Sequence, residues 1–115
     1  MTGPAKGASR HWKMQRISAL ILIPTTLLFI FPFLRSYGSS QSDVLVAYAN
    51  PLNALVALVL FVTLFIHLYQ GIGEVIMDYA HSRLWLTILR TANAAFCWVM
   101  GLLSVIAIAR IALFP

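Results

Sequence analysis

The chain has 115 residues, 61% of them hydrophobic and only 10% charged, with a formal charge of +5 and a mean hydropathy of +0.88. Soluble domains carry about 25% charged residues, so there is too little polar surface here to coat a globule in water, and lipid is the solvent that suits the chain. The eight Lys and Arg residues sit at the ends of apolar runs without forming a stripe or patch, which argues against nucleic acid as a partner. The length accommodates one domain, 1–115. The single cysteine, Cys97, lies inside an apolar run; it excludes an internal disulfide and reads as a small packing residue.

Three apolar stretches follow in order. Residues 17–34 are uncharged, residues 52–66 are uncharged and continue past His67 to Gly73, and residues 91–109 are uncharged. A hydrocarbon core about 30 Å thick needs roughly 20 helical residues at about 1.5 Å each, so every stretch can span. Three segments cannot close a barrel, and backbone groups in lipid must pair internally. The predicted class is therefore an all-α integral membrane protein, with three transmembrane helices at about 16–35, 51–78 and 88–110. Pro24 is expected to kink the first helix, whereas Pro32 and Pro51 fall near predicted ends. The first stretch is too long for a signal peptide, and Leu34-Arg35-Ser36-Tyr37 is a poor cleavage site, so it is expected to be retained. The only linker read from the sequence is the polar loop 36–43.

Lys6, Arg10, Lys13 and Arg16 precede the first helix, and Arg83 and Arg90 lie between the second and third. Only Arg35 and Arg110 fall on the opposite side, so the N-terminus is expected in the cytoplasm (or an organelle's matrix) and the C-terminus outside.

Chemistry must lie with the few polar residues that such a chain keeps, because an ionisable group at membrane depth is expensive. The second helix holds His67, Glu74 and Asp78, followed by Tyr79 and His81. At helical spacing His67, Gly71, Glu74 and Asp78 share one side, a polar stripe that must face protein, cofactor or water. His67 lies about 22 Å beyond Leu52, inside the core, and Asp78 and Tyr79 lie about 16–18 Å further, at the interface. A buried neutral imidazole suits a haem iron, although the same histidine could simply hydrogen-bond a neighbouring helix. An interfacial acid beside a phenol suits a group that is hydrogen-bonded and supplied with protons.

The run from His67 to His81 resembles the second helix of the D-type membrane anchors of succinate dehydrogenase, respiratory complex II. The family pattern is His, three residues, Gly, six residues, Asp-Tyr, then His two places on, and His67, Gly71, Asp78, Tyr79 and His81 fill it. Three helices, an arginine just before the first, and the overall length match as well; the specific motif is confined to the second helix. The resemblance implies that His67 is one axial ligand of a b-type haem shared with a second anchor, a C-type cytochrome b. It further implies that Tyr79 hydrogen-bonds ubiquinone, that Asp78 orients Tyr79 or delivers protons, and that Arg16 meets a haem propionate or else serves as a topology-setting charge. Succinate chemistry would reside in a flavoprotein subunit and an iron–sulfur subunit, since this chain has no dinucleotide fingerprint and no cysteine set for a cluster. Within the chain, His81 is about 21 Å beyond His67 on a continuous helix, so the second haem ligand is expected from another chain. Trp12, Trp85 and Trp98 read as interface anchors or packing. A fumarate reductase anchor running the reverse reaction has the same features.

The competing reading is a non-redox adaptor or a transporter component in which Glu74 carries a proton or ion. The expected location is a bacterial inner membrane rather than a mitochondrial one, since there is no long Arg- and Ser-rich leader. Expressed without partners, the chain is expected to be unstable, because its polar stripe has nothing to pair with. Purification of the tagged chain should bring down a second small anchor, an iron–sulfur protein and a flavoprotein, with a Soret band. A well-behaved, colourless homo-oligomer is the result that favours the adaptor.

Overall fold

With no water to satisfy it, a backbone in lipid closes its hydrogen bonds within helices, and this chain does so almost throughout. The computed structural model describes residues 3–114, with side chains from Arg10 to Phe114; the side chain of Lys6, one of the orienting charges, lies outside the described residues. Four helices follow in order: α1 (Gly3–Ser36), α2 (Gln41–Ala49), α3 (Pro51–Tyr79) and α4 (Arg83–Leu113). No strand occurs among the described residues. α1, α3 and α4 are each long and apolar enough to cross a membrane.

Two helices are longer than the hydrophobic runs suggest. α1 starts well before residue 16, and α4 starts at Arg83 rather than near 88. The apolar run marks the part of a helix that lies in hydrocarbon, whereas the helix itself continues into the interface, where Arg10, Lys13, Arg16, Arg83 and Arg90 are solvated. At about 1.5 Å per residue, α1 is about 51 Å long and exceeds a 30 Å core by several turns. It runs as one helix through Pro24 and Pro32. Hydroxyls supply extra donors beside both prolines: Thr25 donates to the Ile21 carbonyl (2.7 Å) and Ser36 to the Pro32 carbonyl (2.8 Å).

α2 takes in only the end of the loop 36–43 expected between the first two spans and continues to Ala49. Its N-cap is Ser40, whose Oγ accepts from the Asp43 amide at 3.3 Å. The Ser-x-x-Asp pattern of residues 40–43 is a helix-start signal that the polar composition of the segment hides. Gly38, with φ +81°, takes the left-handed conformation that ends α1 and turns the chain toward α2. Asn50 then caps α3, its Oδ1 accepting from the amides of Leu52 (2.9 Å) and Asn53 (3.5 Å), with Pro51 in the first turn, where its missing N–H costs nothing. The side-chain Nδ2 of Asn53 donates to the Ala47 carbonyl (2.9 Å). Phe29 of α1 meets Tyr48 of α2 and Phe61 of α3, with ring centroids 5.3 and 5.8 Å away, so an aromatic cluster fastens α2 to both long helices.

α3 is the central element. α1 and α4 both pack against it and make no contact with each other among the described residues. Lipid gives no hydrophobic drive to bring helices together, so small residues and interhelical hydrogen bonds supply the contact. α3 buries Ala54, Ala57 and Thr63; α1 buries Ser18 and Thr25; α4 buries Asn93 and Cys97, with Gly101 on the next turn. Asn93 donates to the Tyr69 carbonyl of α3 at 3.0 Å, and the Cys97 thiol lies 3.5 Å from Asn93 Oδ1, in keeping with its packing role. The three-residue link 80–82, capped by Ser82 on the Trp85 amide (3.2 Å), folds α4 back antiparallel to α3.

The α3–α4 contact generates a stability prediction at Gly101. A Cβ built there would lie 3.6 Å from Phe65 Cβ, ordinary contact, so Gly101→Ala should be neutral or slightly stabilising. Gly101→Leu has to displace Phe65 and should cost about 1–3 kcal/mol. Thermal aggregation of the detergent-purified protein carrying each substitution would check the contrast.

Candidate functional site on the central helix

The packing of α3 divides the polar stripe. His67 and Gly71 are half-buried against α1, whereas Glu74 and Asp78 are exposed. The imidazole Nδ1 of His67 lies 2.7 Å from the hydroxyl of Ser18, a buried residue of α1. One turn along, a Cβ added to Gly71 would lie 3.7 Å from Gln15 Nε2. Ser18 therefore stands opposite His67 and Gln15 opposite Gly71, which fixes the antiparallel register of the two helices. The alternative use foreseen for His67, a bond to a neighbouring helix, is thus realised by one of its two ring nitrogens.

The other nitrogen is differently placed. Nε2 makes no hydrogen bond among the described residues, and His67 as a whole is half-buried. No three His, Cys, Asp or Glu residues gather around it or elsewhere among the described residues. An imidazole lone pair at membrane depth can coordinate a metal centre whose other ligands come from a macrocycle or another chain.

Register also refines depth. Ser18 lies only about 3 Å of helix rise from Arg16, so His67 stands near the charged end of the α1 span rather than at its middle. Arg16 itself is exposed, its guanidinium carbon 5.4 Å from the centroid of the Trp12 ring. No contact joins Arg16 to the His67 pair.

At the far end of α3, Val75, Ile76, Tyr79 and Ala80 join His81, Ser82, Trp85 and Leu89 around an open cavity of about 460 Å³. Tyr79 is 77% exposed, with its phenol available to a ligand. Asp78 is exposed, does not line this cavity, and forms no hydrogen bond with Tyr79 among the described residues, so an orienting contact between them is not formed. Neighbouring positions on a helix point about 100° apart, which is why sequence adjacency does not bring these two side chains together. Trp85, read from the sequence as an interface anchor or packing residue, also lines this cavity; its place three residues beyond the Ser82 cap, after the reversal of the chain, returns it to Tyr79.

Comparison with known proteins agrees with this architecture. The family model described as succinate dehydrogenase/fumarate reductase transmembrane subunit matches residues 2–111. The chain is 33% identical over 78 residues to the succinate dehydrogenase hydrophobic membrane anchor subunit of Rickettsia bellii, covering 68% of this chain and 62% of that protein. It is 29% identical over 114 residues to the subunit of the same name from Paracoccus denitrificans, covering 94% and 82% respectively. A succinate dehydrogenase membrane anchor subunit from Reclinomonas americana is 28% identical over 81 residues, 68% of each chain. The match thus spans less than two thirds of the first relative's length. No solved structure matches the chain significantly. Three membrane-length helices, the histidine-bearing one at their centre, and a family match over nearly the whole length lead to one conclusion: the chain belongs to the succinate dehydrogenase/fumarate reductase transmembrane subunit family.

Proposed function

We propose that this integral membrane anchor subunit supplies one axial ligand of a b-type haem, through His67, and one wall of a ubiquinone-reduction site, through Tyr79. The observation that carries the reading is the division of labour at His67: Nδ1 is engaged by Ser18 while Nε2 makes no hydrogen bond among the described residues. A haem held at Nε2 would supply a one-electron redox centre. Gly71, one turn from His67, faces Gln15 of α1 and so lets α1 lie close beside the histidine. His11 and His81 are exposed and lie on other turns, so a second axial ligand comes from the partner anchor, a C-type cytochrome b. Arg16, about 3 Å of rise from the level of Ser18, can turn from Trp12 to a propionate.

Ubiquinone is the substrate at the other end of α3. Its reduction takes two electrons and two protons, and negative charge builds on its oxygens between those steps. The Tyr79 phenol donates to a quinone carbonyl and stabilises that charge, while the walls formed by Trp85, Ile76 and Leu89 exclude water from the ring. Asp78, exposed beside this cavity, serves as a proton donor from the aqueous side. The flavoprotein and iron–sulfur partners oxidise succinate and pass the electrons on. They dock on the side bearing Arg10, Lys13, Arg16, Arg83 and Arg90, the cytoplasmic face of a bacterial inner membrane.

Two substitutions test the two ends separately. His67→Leu should alter haem content or its low-spin spectrum, while succinate oxidation with a soluble dye persists in the assembled complex; an unaltered spectrum assigns the ligand elsewhere. Tyr79→Phe keeps the ring and deletes the donor. Losing one such donor typically costs about 2.7–4 kcal/mol, or 10²–10³ in rate, so quinone reduction should fall by at least about an order of magnitude with dye-linked activity unchanged. Turnover within about twofold of the parent removes Tyr79 from the quinone site. Asp78→Asn should slow quinone reduction as much as Tyr79→Phe where Asp78 carries the protons, and less where another group can replace it.

A further inference from the structure

We propose that Ser18 is the positioning residue for His67: its hydroxyl accepts the Nδ1 proton, holds the ring in the Nδ1–H tautomer, and leaves the Nε2 lone pair directed at whatever His67 binds. The inference rests on the reading of His67 as a haem ligand and names the group that prepares it. It follows from counting hydrogens. A serine hydroxyl has one proton and two lone pairs. Ser18 Oγ lies 3.0 Å from the Gln15 carbonyl, which can only accept, and 2.7 Å from His67 Nδ1. With its one proton committed to Gln15, Ser18 has lone pairs left for the imidazole, so His67 is the donor. A neutral imidazole that donates at Nδ1 carries its free pair at Nε2.

The setting makes this constraint strict. Ser18 is 5% exposed and comes from a different helix, 49 residues away in sequence, so no water competes for the bond and the rigid α1–α3 packing sets the ring plane. Metal-bound histidines generally donate their second ring N–H to an acceptor, which fixes orientation and makes the ligand more basic; loss of that acceptor costs 10–100-fold in metal affinity or activity. A more basic ligand favours ferric over ferrous iron, so the hydroxyl should hold the haem potential down.

The experiment uses the assembled complex with Ser18→Ala, Ser18→Cys, Ser18→Thr and His67→Leu, read by redox potentiometry, by the low-spin electron paramagnetic resonance signal and by the rate of haem loss to apomyoglobin. Ser18→Ala should raise the midpoint potential by about 59 mV, the equivalent of a tenfold shift for one electron. It should also shift the low-spin signal, as the ring is freed to turn, and speed haem loss about 10-fold or more. Ser18→Thr keeps the hydroxyl and should restore all three. Where the alanine variant does not assemble, Ser18→Cys, close in size but a weak acceptor, should give the same displacement. Parental potential and signal in Ser18→Ala or Ser18→Cys overturn the proposal, as does a threonine variant displaced as far as alanine. His67→Leu separates the two levels: an unchanged haem spectrum there removes the ligand assignment, whereas a changed spectrum with an indifferent Ser18 removes only the positioning role.

Discussion

A polar group inside a bilayer has no water to replace a missing partner, and the structure is organised by that constraint. Backbone groups close within four helices, and most of the hydroxyl and amide side chains buried in the spans pair either with their own helix or across to the next, Gln15 Oε1 and Gln70 Oε1 being buried without a partner. Thr25, Ser36 and Ser104 turn back onto carbonyls of the preceding turn. Ser18 and Asn93 reach instead to α3, one to a side chain and one to a carbonyl. These two bonds lie on opposite flanks of the same helix, two residues apart in sequence at His67 and Tyr69. They hold α1 and α4 to a common segment of α3. The segment that anchors α1 is thus also the one that carries the proposed ligand, His67.

The same register sets the two ends of the central helix to different tasks. His67 is within reach of the basic end of α1 but still packed against it, whereas Tyr79, about 18 Å of rise further on, is clear of hydrocarbon and faces a cavity closed by the start of α4. One continuous helix thus carries an imidazole in lipid and a phenol at the water boundary. A continuous helix keeps the two at a fixed separation.

A third consequence is that the chain is open. α1 and α4 flank α3 without touching, and large apolar side chains such as Leu20, Phe31, Phe96 and Trp98 are exposed along its length. In lipid such exposure costs nothing, because tails solvate leucine as well as leucine does. The polar stripe is different: Glu74 and Asp78 at the surface, and a half-buried imidazole with one ring nitrogen unbonded among the described residues, call for protein, cofactor or water beside them.

Composition alone determined that the chain lives in lipid and is helical, because the solvent leaves no other way to satisfy a backbone. Helical spacing determined that His67, Gly71, Glu74 and Asp78 lie on one side of the second span, and the motif through Tyr79 and His81 indicated the family. These properties are local: each depends on the solvent or on residues within a few turns. Helix ends were less legible, since charge marks the edge of the hydrocarbon and not of the helix, and α2 was hidden because polar residues begin a helix as readily as they fill a loop. Only the tertiary structure decided that Ser18 meets His67, that Trp85 rather than Asp78 shares a cavity with Tyr79, and that Arg16 rests on Trp12. Those pairings depend on how α1 and α4 slide and rotate against α3. That register is set by small residues distributed over three helices, none of which carries it alone.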